Sequence, residues 1–174
     1  LLEKFNDTQV DYPRDRCVHE LFEAHVAKRP DAVAVAFEGA TLTFAELNAR
    51  ANRLAHHLRS LGVRPDDRVA VCADRSLEMV VALMATLKAG GAYVPLDPNY
   101  PHDRLAYMLG DCKPSVLLTQ QALVGLLSGL AHSAQAVVLD APTPAWSALS
   151  DANPERIATE SGARHLAYVI YTSG

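Results

Sequence analysis

Residues 68–96 read RVAVCADRSLEMVVALMATLKAGGAYVPL. The first six, RVAVCA, form a short apolar run with β-branched valines, which is the signature of a strand. SLEMVVALMATLKAG, from Ser76 to Gly90, is a helix apolar nearly all round, and such a helix has to be buried on most of its sides. Gly90-Gly91 closes it, and Tyr93 to Leu96 supplies another strand. Strand, buried helix and strand in succession predict an α/β fold: a sheet with helices packed on its faces.

The flanks continue the alternation. Toward the C-terminus, Pro101 opens a helix with Leu105, Met108, Leu109 and Cys112 on one face. SVLLT, the helical QALVGLLSGL and AVVLD follow in turn, and residues 141–164 form a long surface connection before the strand LAYVIY. Toward the N-terminus, Thr43 and Glu46 have the spacing of a capping box. The helix they open carries Phe44, Leu47, Ala51, Leu54, Ala55 and Leu58 at spacings of three and four, and Gly62 ends it. Its opposite face, with Arg50, Arg53, His57 and Arg59, reads as solvated. VAVAFEGATLTF alternates around Glu38-Gly39 as a hairpin. Before it, Val18, Leu21, Phe22, His25 and Val26 make an apolar helical stripe that finishes ahead of Pro30. Residues 1–16, LLEKFNDTQVDYPRDR, lack periodicity and read as a linker.

Composition narrows the function classes. With 49% hydrophobic residues over 174 positions the chain can bury a substantial core, and a formal net charge of −4 argues against nucleic acid as a partner. The longest apolar run, Met79 to Leu87, is about half the ~20 residues a membrane-spanning helix needs. Cys17, Cys72 and Cys112 are too far apart for zinc or dithiol chemistry and read as thiols in a reducing, cytoplasmic setting, two of them in the core.

Several catalytic patterns are excluded. HELFEAH places its histidines six apart, whereas a zinc-protease helix needs them four apart on one face. There is no G-x-S-x-G elbow, no G-x-G-x-x-G fingerprint and no complete Walker loop. The candidate site is where LAYVIY runs into Thr172, Ser173 and Gly174. Small hydroxyl residues and glycine after a strand let backbone amides and hydroxyls close on phosphate oxygens. The same three residues also suit an ordinary turn.

LTFAEL at 42–47, LKAGGAYVPLDPNYPHDR at 87–104 and LAYVIYTSG at 166–174 resemble, in order and spacing, the first three core motifs of the adenylation domains of nonribosomal peptide synthetases, within the acyl-CoA synthetase and luciferase superfamily. Phe44 stands where tyrosine is usual, which keeps the ring and loses a hydroxyl. The stretch FNDTQVDYP followed by HELFEAHVAKRPDAVAV is similar to the junction between a condensation domain and an adenylation domain.

The resemblance implies residues 1–16 as a linker from an upstream condensation-type domain, and 17–174 as the incomplete N-terminal part of the large subdomain of an adenylate-forming enzyme, truncated in its phosphate-binding loop. It implies an amino acid and Mg-ATP as substrates, an aminoacyl adenylate as intermediate, and transfer to the phosphopantetheine thiol of a peptidyl carrier protein in secondary-metabolite synthesis. Thr172, Ser173 and Gly174 would begin the phosphate cradle. No catalytic residue or metal ligand is expected within 1–174, so this stretch alone is expected to be inactive. Residues 87–104 read as architectural, with Asp97 and Arg104 a candidate structural pair. Two alternatives are a non-catalytic docking platform for the condensation domain and a free-standing acyl-CoA ligase. The condensation-type leader and YVPLDPNYP speak against the ligase.

Overall fold

The computed structural model describes residues 10–130, 132–155 and 163–172. Elements follow in the order α1 (Val18–Lys28), β1 (Val33–Phe37), β2 (Ala40–Thr43), α2 (Phe44–Ser60), β3 (Arg68–Cys72), α3 (Leu77–Ala89), β4 (Ala92–Leu96), α4 (His102–Cys112), β5 (Val116–Thr119), a 3₁₀ turn (Gln121–Leu123), α5 (Val124–Ser128) and β6 (Gln135–Val138). The expected α/β alternation is present. β1 and β2 form an antiparallel hairpin, and the remaining strands form a parallel sheet in the order β4-β3-β5-β6.

Period-two alternation divides the sheet between two cores. Val69, Val71, Val116 and Leu118 face one side, where they meet Leu54 and Leu58 of α2 and Val81, Ala82 and Ala85 of α3. Ala70, Cys72, Val94, Leu96 and Leu117 face the other, against Leu105, Met108, Leu109 and Cys112 of α4 and Leu127 of α5. With both faces covered, β3 and β5 need no polar side, which accounts for the unbroken apolar runs VAVC and VLL within them.

Local chemistry sets the element ends. Thr43 Oγ1 accepts from the Glu46 amide at 3.2 Å while Glu46 Oε2 accepts from the Thr43 amide at 2.8 Å, the reciprocal pair foreseen for α2. Ser76 caps α3 through Met79 N at 3.1 Å, and Gly90 at φ 97° ends it. Gly91 is closely packed: a Cβ there would lie 3.0 Å from Val63 Cγ1 and 3.2 Å from the Asp67 carbonyl, so its neighbours would have to shift to admit one. The hairpin turns through Glu38 and Gly39, both at positive φ, the geometry that a two-residue connection requires.

Three expectations are corrected. On α1, Val18 and Leu21 are 64% and 40% exposed and His25 is exposed too, whereas His19, Phe22, Glu23 and Val26 turn inward. The cause is Lys88, whose side chain is wholly buried and ion-paired with Glu23, so that an acid is drawn to the packed side of the helix. The connection at 141–155 is not only superficial, since Trp146 is 9% exposed and joins the first core. The polar face of α2 is not simply solvated. Arg53 reaches Asp151 at 2.9 Å, Asn52 donates to the Asp151 carbonyl at 2.6 Å, and Arg59 donates to the Glu155 carbonyl at 2.7 Å.

Candidate functional site

The segment that carries the candidate loop is held at three successive points. At its start Asp66, in the left-handed conformation that aspartate tolerates, offers both carboxylate oxygens: one accepts from Leu166 N at 2.8 Å and the other meets His165 Nδ1 at 2.7 Å. Tyr93 of β4 then donates its amide to the Ala167 carbonyl at 3.1 Å and accepts from Val169 N at 3.0 Å. This makes one parallel bridge between Tyr93 and Tyr168, with their rings 5.7 Å apart. Beyond the bridge the Tyr171 hydroxyl donates to Asp111 Oδ2 at 2.5 Å.

LAYVIY is therefore extended but not a full strand, and the reason lies in β4. The backbone of Tyr93 points toward this segment, so the next group to do so along β4 belongs to residue 95. That residue is proline and has no amide hydrogen, so the ladder cannot continue by donation from it. Side-chain alternation survives the loss of pairing. Val169 and Tyr171 pack on the second core, while Leu166, Tyr168 and Ile170 stand 48%, 53% and 55% exposed on the other side.

The bridge fixes direction. Because the segment runs parallel to β4 at Tyr168, it heads from there toward the edge where all four strands of the sheet end, which is where ligands bind open parallel sheets. Thr172 lies four residues beyond the bridge and is exposed. Ser173 and Gly174, the other two candidate residues, lie outside the described residues.

The surrounding groups are structural. Asp97 Oδ1 accepts from the Asn99 amide at 2.9 Å and Arg104 stacks over the Tyr100 ring at 4.1 Å, so the suggested pairing of Asp97 with Arg104 is replaced by a turn and a cation–π contact. Cys72 and Cys112 are buried as expected. Burial, with Asp74 and Asp97 nearby, pushes the Cys72 thiol up to about 11, which keeps it protonated and unreactive. Among the described residues no three His, Cys, Asp or Glu side chains gather as a metal site, and no helix is long and apolar enough to cross a membrane.

The Asp66 clamp carries a pH signature. The Leu166 amide, followed by the His165 ring, holds the Asp66 carboxyl below its ordinary range. A group with a depressed folded pKa stabilises the fold above its unfolded value and loses that contribution as the pH falls through the folded one. Protection of the Leu166 amide against hydrogen exchange, corrected for intrinsic rate, should hold near neutral pH and vanish well below the ordinary carboxylate value of ~4. Protection unchanged through that range would show that Asp66 does not hold the segment.

The sequence alone flagged the loop but not its supports. Asp66, Tyr93 and Asp111 come from a turn, a strand and a helix end remote in the chain, and no local pattern marks them as supports.

Comparison with known proteins gives a consistent result. Residues 22–174 match the family model described as AMP-binding enzyme. The whole chain is 49% identical to part of malpinin synthetase of Mortierella alpina, covering 2% of it. It is 45% identical to part of gramicidin S synthase 2 of Aneurinibacillus migulanus, covering 4% of that protein. Among solved structures, the nonribosomal peptide synthetase FmoA3 in its α-methyl-L-serine-AMP-bound form aligns over 98% of this chain and 18% of its own, with 34% identity and a TM-score of 0.85. The chain thus spans only a small part of these relatives, and within that span it is homologous to their adenylation domains. With nearly all of its length matched and its parallel sheet shared with that structure, the chain belongs to the AMP-binding enzyme family.

Proposed function

We propose that residues 17–174 are the N-terminal part of an amino-acid-activating adenylation domain in a nonribosomal peptide synthetase, with residues 1–16 linking it to an upstream condensation domain. Thr172, Ser173 and Gly174 begin the turn that receives the β and γ phosphates of Mg-ATP. The observation that carries this reading is the parallel course of the segment at Tyr168, which directs it toward the C-terminal edge of the sheet with Thr172 exposed four residues on. The likeness to a synthetase solved with an aminoacyl adenylate supports it.

The chemistry follows from the weakness of a carboxylate as an electrophile. A carboxylate oxygen attacks the α phosphorus of ATP, the bond to the bridging oxygen breaks, and pyrophosphate departs. Donors around the β and γ phosphates, together with the magnesium that accompanies ATP, stabilise the charge that builds on that leaving group. A carrier-protein phosphopantetheine thiol then attacks the acyl carbon, forming a thioester and releasing AMP. Thr172 supplies a hydroxyl donor, and the Asp66, Tyr93 and Asp111 contacts keep its backbone in place.

The activating step can be read by exchange of labelled pyrophosphate into ATP. The complete synthetase module carrying this chain should show amino-acid-dependent exchange, whereas the 174-residue stretch alone should show none. Robust exchange from the isolated stretch, or none from the module with any amino acid, would defeat the reading.

A second role is favoured by the outer face of α1. Exposed Val18 and Leu21 there offer an apolar surface against which the upstream condensation domain could pack, and such docking is compatible with catalysis. The acyl-CoA ligase alternative has the weaker support. A structure from Rhodopseudomonas palustris described as a putative long-chain-fatty-acid CoA ligase aligns at 29% identity and TM-score 0.67 over 75% of this chain.

A further inference from the structure

Tyr171 is the last residue before the proposed phosphate turn, and its side chain is tied to α4, an element with no other part in the site. The phenol passes over the end of that helix, its ring edge-on to Tyr107 at 6.4 Å between centroids, and its hydroxyl donates to Asp111 Oδ2 at 2.5 Å. The Met108 carbonyl, at 3.5 Å, is a distant second acceptor. The ring packs on the second core, so the side chain is anchored at both body and tip.

The place of the acid is informative. Asp111 lies in the last turn of α4, which holds no basic residue. The partial negative charge at a helix C-terminus disfavours a carboxylate there. Among the described residues Asp111 takes part in no ion pair. An exposed acid in an unfavourable position, one of whose oxygens is used by the residue that precedes the loop, needs a reason other than helix stability. The hydrogen bond to Tyr171 supplies one. Burial, with the carboxylate close by, raises the phenol, which therefore remains a donor at neutral pH.

We propose that Asp111 is a positioning residue for the nucleotide site: by holding the Tyr171 hydroxyl it sets the point and direction from which Thr172 and the phosphate turn leave the sheet. This rests on the adenylation reading above. Asp111 itself touches no substrate. Misplacing a phosphate donor weakens contacts that mature as pyrophosphate departs, while contacts to the amino acid stay as they were.

The test is pyrophosphate exchange by the complete synthetase module, varying ATP and the amino acid separately. Losing a hydrogen bond to a charged acceptor should lower kcat/KM for ATP roughly tenfold, chiefly through kcat, in both Asp111→Ala and Tyr171→Phe, with the KM for the amino acid unchanged. Asp111→Asn keeps an acceptor oxygen and should recover most of the loss. The double variant Asp111→Ala/Tyr171→Phe should be no worse than either single one, because both remove the same contact. Amide exchange at Thr172 should quicken in Tyr171→Phe, a readout that needs no turnover.

An exchanging parent whose ATP dependence ignores residues 111 and 171, or a double variant whose losses multiply, would overturn the assignment. So would an unchanged Thr172 exchange rate in Tyr171→Phe. A module that exchanges with no amino acid would count against the adenylation reading instead, leaving the Thr172 amide to decide the role of Asp111.

Discussion

Replacing Glu23 with alanine should destabilise the fold by about 3 kcal/mol or more, the range found when one partner of a buried ion pair is removed. The Lys88 side chain has no exposure at all, whereas that of Glu23 keeps 22%, so the ammonium depends on its protein partners. Besides Glu23, its partners among the described residues are Asn153 Oδ1, at 3.4 Å, and the face of Phe22, 5.9 Å from its ring centroid. Burial already lowers the Lys88 pKa and Glu23 opposes that shift. Without the carboxylate the lysine can shed its proton, which limits the loss but leaves a buried amine poorly satisfied. Urea unfolding should show a lower midpoint at unchanged slope. Glu23→Gln should cost less, and adding Lys88→Met to Glu23→Ala should restore most of the stability, since no charge is then stranded. A Glu23→Ala midpoint within error of the parent would mean that the pair is not the tie between α1 and α3.

This pair also shows where the sequence stops being legible. The apolar stripe on α1 suggests which face packs, but a single charged partner 65 positions away rotates the choice. Lys88 itself sits in LKAGG, where nothing local distinguishes a buried lysine from a solvated one. α2 behaves similarly: its polar residues look like a wet surface until segment 151–155 is found lying on them. LAYVIY has every feature of a strand, and Pro95 on its neighbour interrupts the pairing.

What could be read directly are features enforced locally: the β3-α3-β4 alternation, the Thr43–Glu46 cap, the Glu38-Gly39 turn and the glycine that ends α3. Of the candidate site, the loop was visible because small hydroxyl residues and glycine follow directly on the apolar run LAYVIY. Its three anchors were not, because each joins residues at least 60 positions apart.

The larger functional effect is expected at the loop itself. Thr172 stands exposed four residues beyond the bridge to β4, and in the proposed reaction its hydroxyl and that of Ser173 meet the departing pyrophosphate. Each is a donor whose partner gains charge in the transition state, so its loss acts on the chemical step more than on ground-state binding. Thr172→Val preserves shape and removes only the hydroxyl; Ser173→Ala does the same next door.

The decisive measurement is amino-acid-dependent pyrophosphate exchange by the complete module bearing Thr172→Val and Ser173→Ala together, with kcat and both KM values determined. If these residues grip the phosphates, kcat/KM for ATP should fall by about a hundredfold or more while the KM for the amino acid is unchanged. A doubly substituted module that folds and exchanges with the parent's ATP kinetics would contradict a phosphate cradle at this edge of the sheet.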